Sequence, residues 1–268
     1  MTMPLLKAIQ NINKDTIFKY FDQAATPSCS PGTSSLIVPI EGIAIEEKEL
    51  FIIAQYFRQI LLNEVPGWAI TQVELKYIEQ KSGTEKLVFP VLHEFAYMKG
   101  IVENVQEIIE NLQKGIFRLP ETEKKLSIDC EIFCDSPVSY PYKDFPLGDF
   151  FDEDQAEIVI NPEQKIFTYQ DTSHHVFFKF LIEKGKGYKT AQLIEREKTA
   201  EKHSNSSGIL KISTGADFNP VKKVGYEIDN EKLTYVIQTN GAVSSLEAYD
   251  IAYRVFQNLL KKQEAAYE

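Results

Sequence analysis

The sequence predicts an α+β fold with two αβ domains, and three observations support this prediction. The stretch WAITQVELKYIEQ (residues 68–80) alternates apolar and polar residues, as a half-buried β-strand does. The stretch IVENVQEIIENLQKG (101–115) repeats its apolar residues at helical spacing on one side only, which is typical of a helix lying on a sheet. The length of 268 residues is long for one hydrophobic core and sufficient for two.

The first part of the chain reads as an arm, a strand and a helix. Residues 1–35 end in the patch TPSCSPGTSS, which predicts a loop or a loosely held arm. The stretch SLIVPIEGIAI (35–45) predicts a strand with an edge or bulge position at its proline. A helix that is apolar on two sides follows to about Asn63, and Pro66 and Gly67 end it before the strand described above.

The middle of the chain reads as one helix among several strands. The stretch EKLVFPVLHEF (85–95) predicts a strand that leads into a turn. Gly100 precedes the one-sided helix, and Gly115 follows it where a C-terminal cap is expected. The clearest later strands are KKLSIDCEIF (124–133), AEIVINPEQKIFTYQ (156–170) and HVFFKFLIEKG (175–185).

The last part of the chain ends in a long helix. The polar stretch EREKTAEKHSNSSG (195–208) predicts a separating loop. Strands are expected around VGYEI (224–228) and KLTYVIQT (232–239). Ser244 and Glu247 are three residues apart at the start of the final helix, as a capping box requires.

The first and the final helix each carry two apolar rows. The main row of the final helix has heptad spacing and consists of Leu246, Tyr249, Tyr253, Phe256 and Leu260. The corresponding residues of the first helix include Phe57, Ile60 and Leu61. One row covers a sheet, whereas a second row needs another partner, so the pattern indicates an interface between two chains. Complete burial of both helices in their own domain explains the same pattern equally well.

Composition excludes several classes of function. The formal net charge of −10 argues against strong direct binding of DNA or RNA, because phosphate binding relies on a basic excess. The sequence has no run of apolar residues long enough to span a membrane, and its N-terminus has no secretory signal pattern. Three cysteines (Cys29, Cys130 and Cys134) are an odd, sparse set, which is typical of free core thiols rather than of a disulfide framework.

The sequence predicts no catalytic residue, no metal site and no cofactor. The acidic run DFFDEDQAE (149–157) lacks the alternation that would place carboxylates on one side, so a solvated loop is expected. His93 and Glu94 could form an acid/base couple, but no nucleophile or orienting group accompanies them. The stretch GKGY (185–188) is too short for a phosphate-binding loop.

Six motifs in order resemble the bacterial-type RNA polymerase alpha subunit over residues 36–260. They are RQILLNEVPGWAITQVE, VLHEF followed by KGIVENVQEIIENL, CDSPVSYPYKDF, AEIVINPEQKIFTY with IEKGKGYKTA, FNPVKKVGYEID, and LTYVIQTNGAVSSLEAYDIAYRVFQNLL. The resemblance implies a discontinuous dimerisation domain, residues 36–70 and 189–268, after an arm of residues 1–35. A second αβ domain, residues 71–188, is expected to be inserted into it and to face the β and β′ subunits.

The resemblance also implies partners and contact residues. The chain is expected to pair with a second copy of itself through the apolar residues of the first and final helices, and to scaffold β and β′. The expected contacts with those subunits are Arg58, Gln59, His93, Glu94, Lys186, Gly187 and Tyr188. The family has a pair of basic residues on the first helix, where this chain has Arg58 and Gln59.

Other features depart from the family pattern and leave alternatives open. The chain ends eight residues after Leu260, so the C-terminal domain that contacts promoter DNA in bacterial alpha subunits is expected to be absent. The composition, rich in Ile, Lys, Asn, Phe and Tyr, favours a plastid (chloroplast stroma) source over the bacterial cytoplasm. The alternative functions are an alpha-like chain that forms a heterodimer, as in archaeal or eukaryotic polymerases, and a stand-alone small-molecule enzyme.

Overall fold

The computed structural model describes residues 28–30, 33–39, 47–80, 86–120, 125–132, 136–145, 159–170, 174–201, 211–229 and 232–264. Most of the expected N-terminal arm, the acidic run at 149–157 and Cys134 lie outside these ranges. Within them, no helix is both long enough and apolar enough to cross a membrane.

Helices and antiparallel strands alternate along the described residues, which confirms the α+β class. The helices are α1 (Glu47–Asn63), α2 (Val105–Gln113), α3 (Ala191–Glu201) and α4 (Ser245–Glu264). The strands are β1 (Ser28–Ser30), β2 (Thr33–Pro39), β3 (Gly67–Gln80), β4 (Lys86–Pro90), β5 (Lys125–Ile132), β6 (Val138–Pro141), β7 (Lys165–Tyr169), β8 (His174–Gly185), β9 (Tyr188–Lys189), β10 (Ile212–Ser213), β11 (Ala216–Asp217), β12 (Val221–Asp229) and β13 (Lys232–Thr239).

The first of two compact units combines both ends of the chain, Met1–Pro66 and Asn219–Glu268. Its antiparallel sheet has the strand order β1-β2-β13-β12. Side chains of α1 and α4 form one hydrophobic core with the alternate residues Leu233, Tyr235 and Ile237 of β13. The core exists because the apolar rows of the two helices and one face of β13 are buried together.

The second unit is the continuous segment Gly67–Phe218. Its main sheet has the order β10-β3-β8-β5, with β4 also paired to β3, and two small sheets pair β11 with β9 and β6 with β7. The long strand β8 contributes the buried residues Val176, Phe178, Phe180 and Ile182 to a core that also contains the apolar side of α2. A period-2 strand and a period-3.6 helix thus cover each other, as the sequence predicted.

The boundary and the start of the first unit differ from the sequence expectation. Residues 189–218 lie in the second unit, because β10 pairs with β3 and β11 pairs with β9. Residues 28–30 and 33–35, expected in a loop or arm, form the strand pair β1 and β2, and β2 continues alongside β13.

The helix α2 begins later than its apolar spacing predicted. Asn104 is its N-cap: the Asn104 side chain accepts a hydrogen bond from the Glu107 amide at 2.9 Å, and the Glu107 carboxylate accepts one from the Asn104 amide at 3.0 Å. Gly115 is not a left-handed cap, because its φ is not positive. A Cβ at Gly115 would lie 2.6 Å from the Phe117 ring and from the Tyr142 hydroxyl, so this glycine is required for close packing.

The sequence prediction of a loop at 195–208 is wrong for residues 195–201, which form the second half of α3. Thr190 precedes the helix and its hydroxyl accepts a hydrogen bond from the Leu193 amide at 3.3 Å. The helix contains Ala, Gln, Glu, Arg and Lys, which are good helix formers. Among the α3 side chains whose burial is described, only Ile194 is fully buried, and one such position gives no apolar periodicity that a sequence pattern could show.

Candidate interaction surfaces

Most side chains expected at a dimer interface lie inside the first unit. Phe57, Ile60, Leu61, Tyr249 and Phe256 are all buried there. The centroid of the Phe57 ring lies 5.2 Å from that of Tyr249 and 6.1 Å from that of Phe256. The helices α1 and α4 therefore pack on each other through these residues, which accounts for much of their two-sided apolar pattern within one chain.

A smaller set of apolar side chains on these helices remains exposed. Leu246 of α4 is 43% exposed, and Tyr253 is half-buried with its ring stacked on Tyr249. Phe51 of α1, which sequence reasoning did not single out, is 56% exposed. The Leu260 side chain lies outside the described residues. An interface between two copies of the first unit can only add burial at exposed positions such as Leu246 and Phe51.

Arg58 binds the sheet of its own unit. Its Nε donates a hydrogen bond to the Val224 carbonyl oxygen at 2.9 Å. Val224 lies on β12, which is an end strand among the described strands of this sheet. Beside it, the Tyr226 hydroxyl donates to Gln55 Oε1 at 3.2 Å.

These two bonds connect α1 to the edge strand β12, one through a backbone carbonyl and the other through a side chain. Within the described ranges, the two terminal amino groups of Arg58 bind no other group. The neighbouring Gln59 is exposed. Arg58 therefore binds the sheet of its own unit through Nε.

His93 and Glu94 lie on a bend between β4 and α2 in the second unit, and both are exposed. The Ala96 amide donates to the His93 carbonyl at 3.1 Å, and the Val105 amide donates to the Ala96 carbonyl at 3.4 Å. These bonds order the segment of residues 91–104, which we call the ledge. Three apolar side chains of this segment, Val91, Met98 and Ile101, are buried in the core of the second unit.

The same ledge exposes two aromatic side chains that sequence reasoning missed. Phe95 is 75% exposed and Tyr97 is 76% exposed, and Leu92 and Val102, which are near them in the sequence, are also exposed. We name these four residues the ledge patch. The run LHEFAYM (92–98) fits neither strand nor helix spacing, and large apolar residues in such a run were the available signal. Exposed aromatic residues on an ordered segment are typical of a protein-binding surface.

Lys186, Gly187 and Tyr188 form a turn after β8. Gly187 has φ of 66°, a left-handed conformation that favours glycine. The Gly187 carbonyl accepts a hydrogen bond from the Phe218 amide at 2.9 Å, which fixes the turn. The Tyr188 side chain is largely exposed, and its hydroxyl lies close to Gly215, where an added Cβ would meet it at 2.8 Å. The turn therefore presents a largely exposed aromatic ring beside a hydrogen-bonded glycine.

The ledge and the turn are two separate surfaces. Gly185, which precedes the turn, pairs with Gly67 at the start of β3, whereas Pro90, which precedes the ledge, pairs with Lys76. Gly67 and Lys76 are nine residues apart on β3, or about 30 Å at the rise of a strand. Hence the expected contact residues of the second unit do not form a single patch.

No group of three or more His, Cys, Asp or Glu side chains within the described residues could hold a metal ion. Cys130 is a free, buried cysteine, as the sequence predicted. Burial and the nearby Asp129 raise the pKa of the Cys130 thiol to about 12, so it stays protonated at neutral pH.

Comparison with known proteins identifies the relatives of the chain. The RNA polymerase alpha subunit of Desulforamulus reducens is 29% identical over 213 residues, which cover 76% of this chain and 58% of the relative. The alpha subunit of Thermus aquaticus is 30% identical over 212 residues, with 76% and 58% coverage. That of Staphylococcus saprophyticus is 30% identical over 208 residues, with 74% and 56% coverage.

The chain thus spans just over half the length of these relatives. All three are bacterial proteins, and they give no support to the plastid source expected from composition. The family described as RNA polymerase Rpb3/Rpb11 dimerisation domain matches residues 45–260, a range that draws on both compact units. Because this match covers most of the sequence, the chain belongs to the RNA polymerase Rpb3/Rpb11 dimerisation domain family.

Proposed function

We propose that this chain is a non-catalytic alpha-type subunit of a multisubunit DNA-directed RNA polymerase. In this role it forms a dimer and scaffolds the assembly of the β and β′ subunits. The observation that carries the proposal is the family match over residues 45–260, together with relatives that are named alpha subunits. The bacterial relatives favour the bacterial cytoplasm as the place of action.

The dimer surface in this proposal lies on the first unit. Leu246, Tyr253 and Phe51 supply its apolar contacts, since they keep exposed area after α1 and α4 have packed. The buried residues of the same two helices, such as Phe57 and Phe256, hold these side chains in place. The same patch on both copies then forms a two-fold interface.

The ledge patch is the proposed main contact with the β subunit. Phe95 and Tyr97 offer large apolar area, and aromatic residues dominate the energetics of protein interfaces. His93 and Glu94 provide polar contacts at its rim. Arg58, with Gln59 beside it, adds a second contact on the first unit, because guanidinium amino groups bind carboxylates or carbonyls of a partner.

The turn at Lys186, Gly187 and Tyr188 is the proposed contact with β′. It is separate from the ledge by about 30 Å along β3, so the two surfaces can serve two different proteins. In a dimer each copy carries both surfaces. One copy is proposed to use its ledge for β and the other its turn for β′.

Light scattering of the purified chain tests the dimer. A species of twice the monomer mass of 30.6 kDa supports it. Leu246→Asp is expected to return the mass to that of a monomer, because a charge is buried at the interface centre. Leu193→Asp is the matched control, since Leu193 is 44% exposed and lies on α3 in the other unit. Equal mass for both variants would contradict the assignment of Leu246.

Co-purification with the β subunit of the same source tests the ledge patch. The double variant Phe95→Ala, Tyr97→Ala is expected to weaken β capture at least tenfold while leaving dimer mass unchanged. Tyr188→Ala is the control for β capture and the test for β′ capture. Arg58→Ala tests the contact on the first unit less cleanly, because the substitution also removes the hydrogen bond from Arg58 to Val224.

A second candidate function is pairing with a different alpha-like chain. The name of the matched family, which joins Rpb3 and Rpb11, favours keeping this alternative. A folded monomer at all concentrations, which dimerises only when another alpha-like chain is added, would support this heterodimer over the homodimer.

A further inference from the structure

The helix α3 contributes little buried apolar surface to the second unit. Ile194 is its only fully buried side chain in the described residues, while Gln192, Leu193 and Glu195 face solvent. Ile194 packs in a small cluster with Ala69, Ala216 and Phe218. This cluster is separate from the main hydrophobic core of the unit. Removing α3 from the surface would therefore leave that core intact.

A part-buried ion pair supplies the other attachment. Lys198 Nζ of α3 donates a short hydrogen bond to Glu183 Oε1 on β8, and both side chains are about one-fifth exposed (19% and 21%). Glu183 Oε2 accepts a second hydrogen bond, at 2.5 Å, from the hydroxyl of the buried Thr71. The pairing of β3 with β8 shifts register at Thr71, and such bulges re-aim a side chain.

The carboxylate of Glu183 is thus anchored to the sheet on one side and to α3 on the other. Thr71 belongs to the sheet whether or not α3 is present, because its carbonyl also accepts the Thr214 amide at 3.0 Å. Lys198 is the part of this network that leaves with the helix. Removing one charge from a part-buried, hydrogen-bonded ion pair therefore costs more stability than removing one from an exposed pair.

We propose that α3 undocks from the second unit while the sheet beneath it stays folded. The Lys198–Glu183 pair, which we call the latch, holds the helix in its docked position. A second pair, Lys189 with Glu197 at 2.8 Å, connects α3 to β9. β9 begins at Tyr188, so the docked helix also supports the exposed turn. Neutralising Lys198, as lysine acetylation does, or raising the salt concentration shifts the helix toward the undocked state. These contacts all lie within the second unit, so undocking of α3 is expected whether or not the polymerase role is correct.

Hydrogen exchange of the full-length chain, read by mass spectrometry, tests the latch. Amides of α3 are expected to exchange faster than those of β8, because local opening is cheaper than unfolding the sheet. Lys198→Gln is expected to raise exchange in α3 about tenfold, since a charge-assisted bond is lost. Amides of β3 and β8 are expected to keep their rates. Lys198→Arg is expected to retain most of the protection.

The matched control is Lys179→Gln. Lys179 lies on β8 and its Nζ pairs with Asp129 Oδ2 at 2.9 Å. That pair is more exposed and connects two strands rather than a helix and a strand. The proposal is overturned if Lys198→Gln affects α3 no more than Lys179→Gln does. It is also overturned if Lys198→Gln accelerates exchange in β8 as much as in α3. Ile194→Ala provides an independent variant, with the same expected restriction of faster exchange to α3.

Discussion

Replacing Phe57 by alanine tests whether α1 and α4 form the core of the first unit. Phe57 has no exposed surface, and its ring centroid lies 5.5, 5.2 and 6.1 Å from those of Tyr235, Tyr249 and Phe256. The variant loses the transfer free energy of a buried phenyl group, about 1.5–3 kcal/mol. It also leaves a cavity among three aromatic rings. Together these losses lower the free energy of unfolding by about 3–5 kcal/mol.

Urea denaturation followed by circular dichroism measures this change, and hydrogen exchange in α4 locates it in the first unit. The control is Phe51→Ala on the same helix. Phe51 is 56% exposed and its ring contacts that of Tyr226 at 6.0 Å, so a loss of about 1 kcal/mol is expected. Equal losses for the two variants would refute the reasoning. So would a Phe57→Ala variant that keeps its stability and loses only dimer mass.

Two further predictions concern buried polar groups of the second unit. Tyr142 is fully buried and its hydroxyl donates to the Leu112 carbonyl near the end of α2, so Tyr142→Phe is expected to lower the free energy of unfolding by about 1–3 kcal/mol in urea titrations; an unchanged midpoint would contradict this. For Glu103, burial favours a higher pKa, but hydrogen bonds from Lys165 and Thr168 outweigh burial and lower the pKa from its usual value. Its carboxylate therefore stabilises the fold above the pKa that a glutamate has in the unfolded chain, and this contribution is lost as pH falls through the lower folded pKa. Glu103→Gln is expected to flatten the pH dependence of stability in this acidic range, and an identical pH profile would count against it.

Regular elements with strong local patterns could be predicted from the sequence. The final helix is an example, because its capping box is visible as Ser244 and Glu247 three residues apart. The structure confirms both bonds: the Ser244 amide donates to the Glu247 carboxylate at 2.7 Å, and the Glu247 amide donates to the Ser244 hydroxyl at 3.1 Å. By contrast α3 could not be predicted from periodicity, because Ile194 alone is buried among its described side chains and one residue produces no repeat.

The interaction surfaces were less predictable than the fold. A heptad row shows which residues are apolar, but it does not show which of them meets the sheet, the neighbouring helix or a second chain. Phe256 and Leu246 belong to the same row, yet one is buried and the other is exposed. The bond from Arg58 to Val224 joins residues 166 positions apart, so no local pattern contains it. The exposed Phe95 and Tyr97 lie on an irregular segment, for which spacing gives no prediction of burial.

The two-segment origin of the first unit determines the order in which the chain can fold during synthesis. The hydroxyl of Tyr235 donates to the Ala54 carbonyl, and these residues are 181 positions apart in the sequence. Strand β2 pairs with β13, which is separated from it by a similar length of chain. At about 5–20 residues per second, the ribosome needs roughly 10–40 s to add that length. All of the second unit emerges in this interval and is able to fold first. Meanwhile α1 emerges with Phe57 and its other apolar side chains uncovered, so a chaperone has a defined window in which to shield it from neighbouring nascent chains.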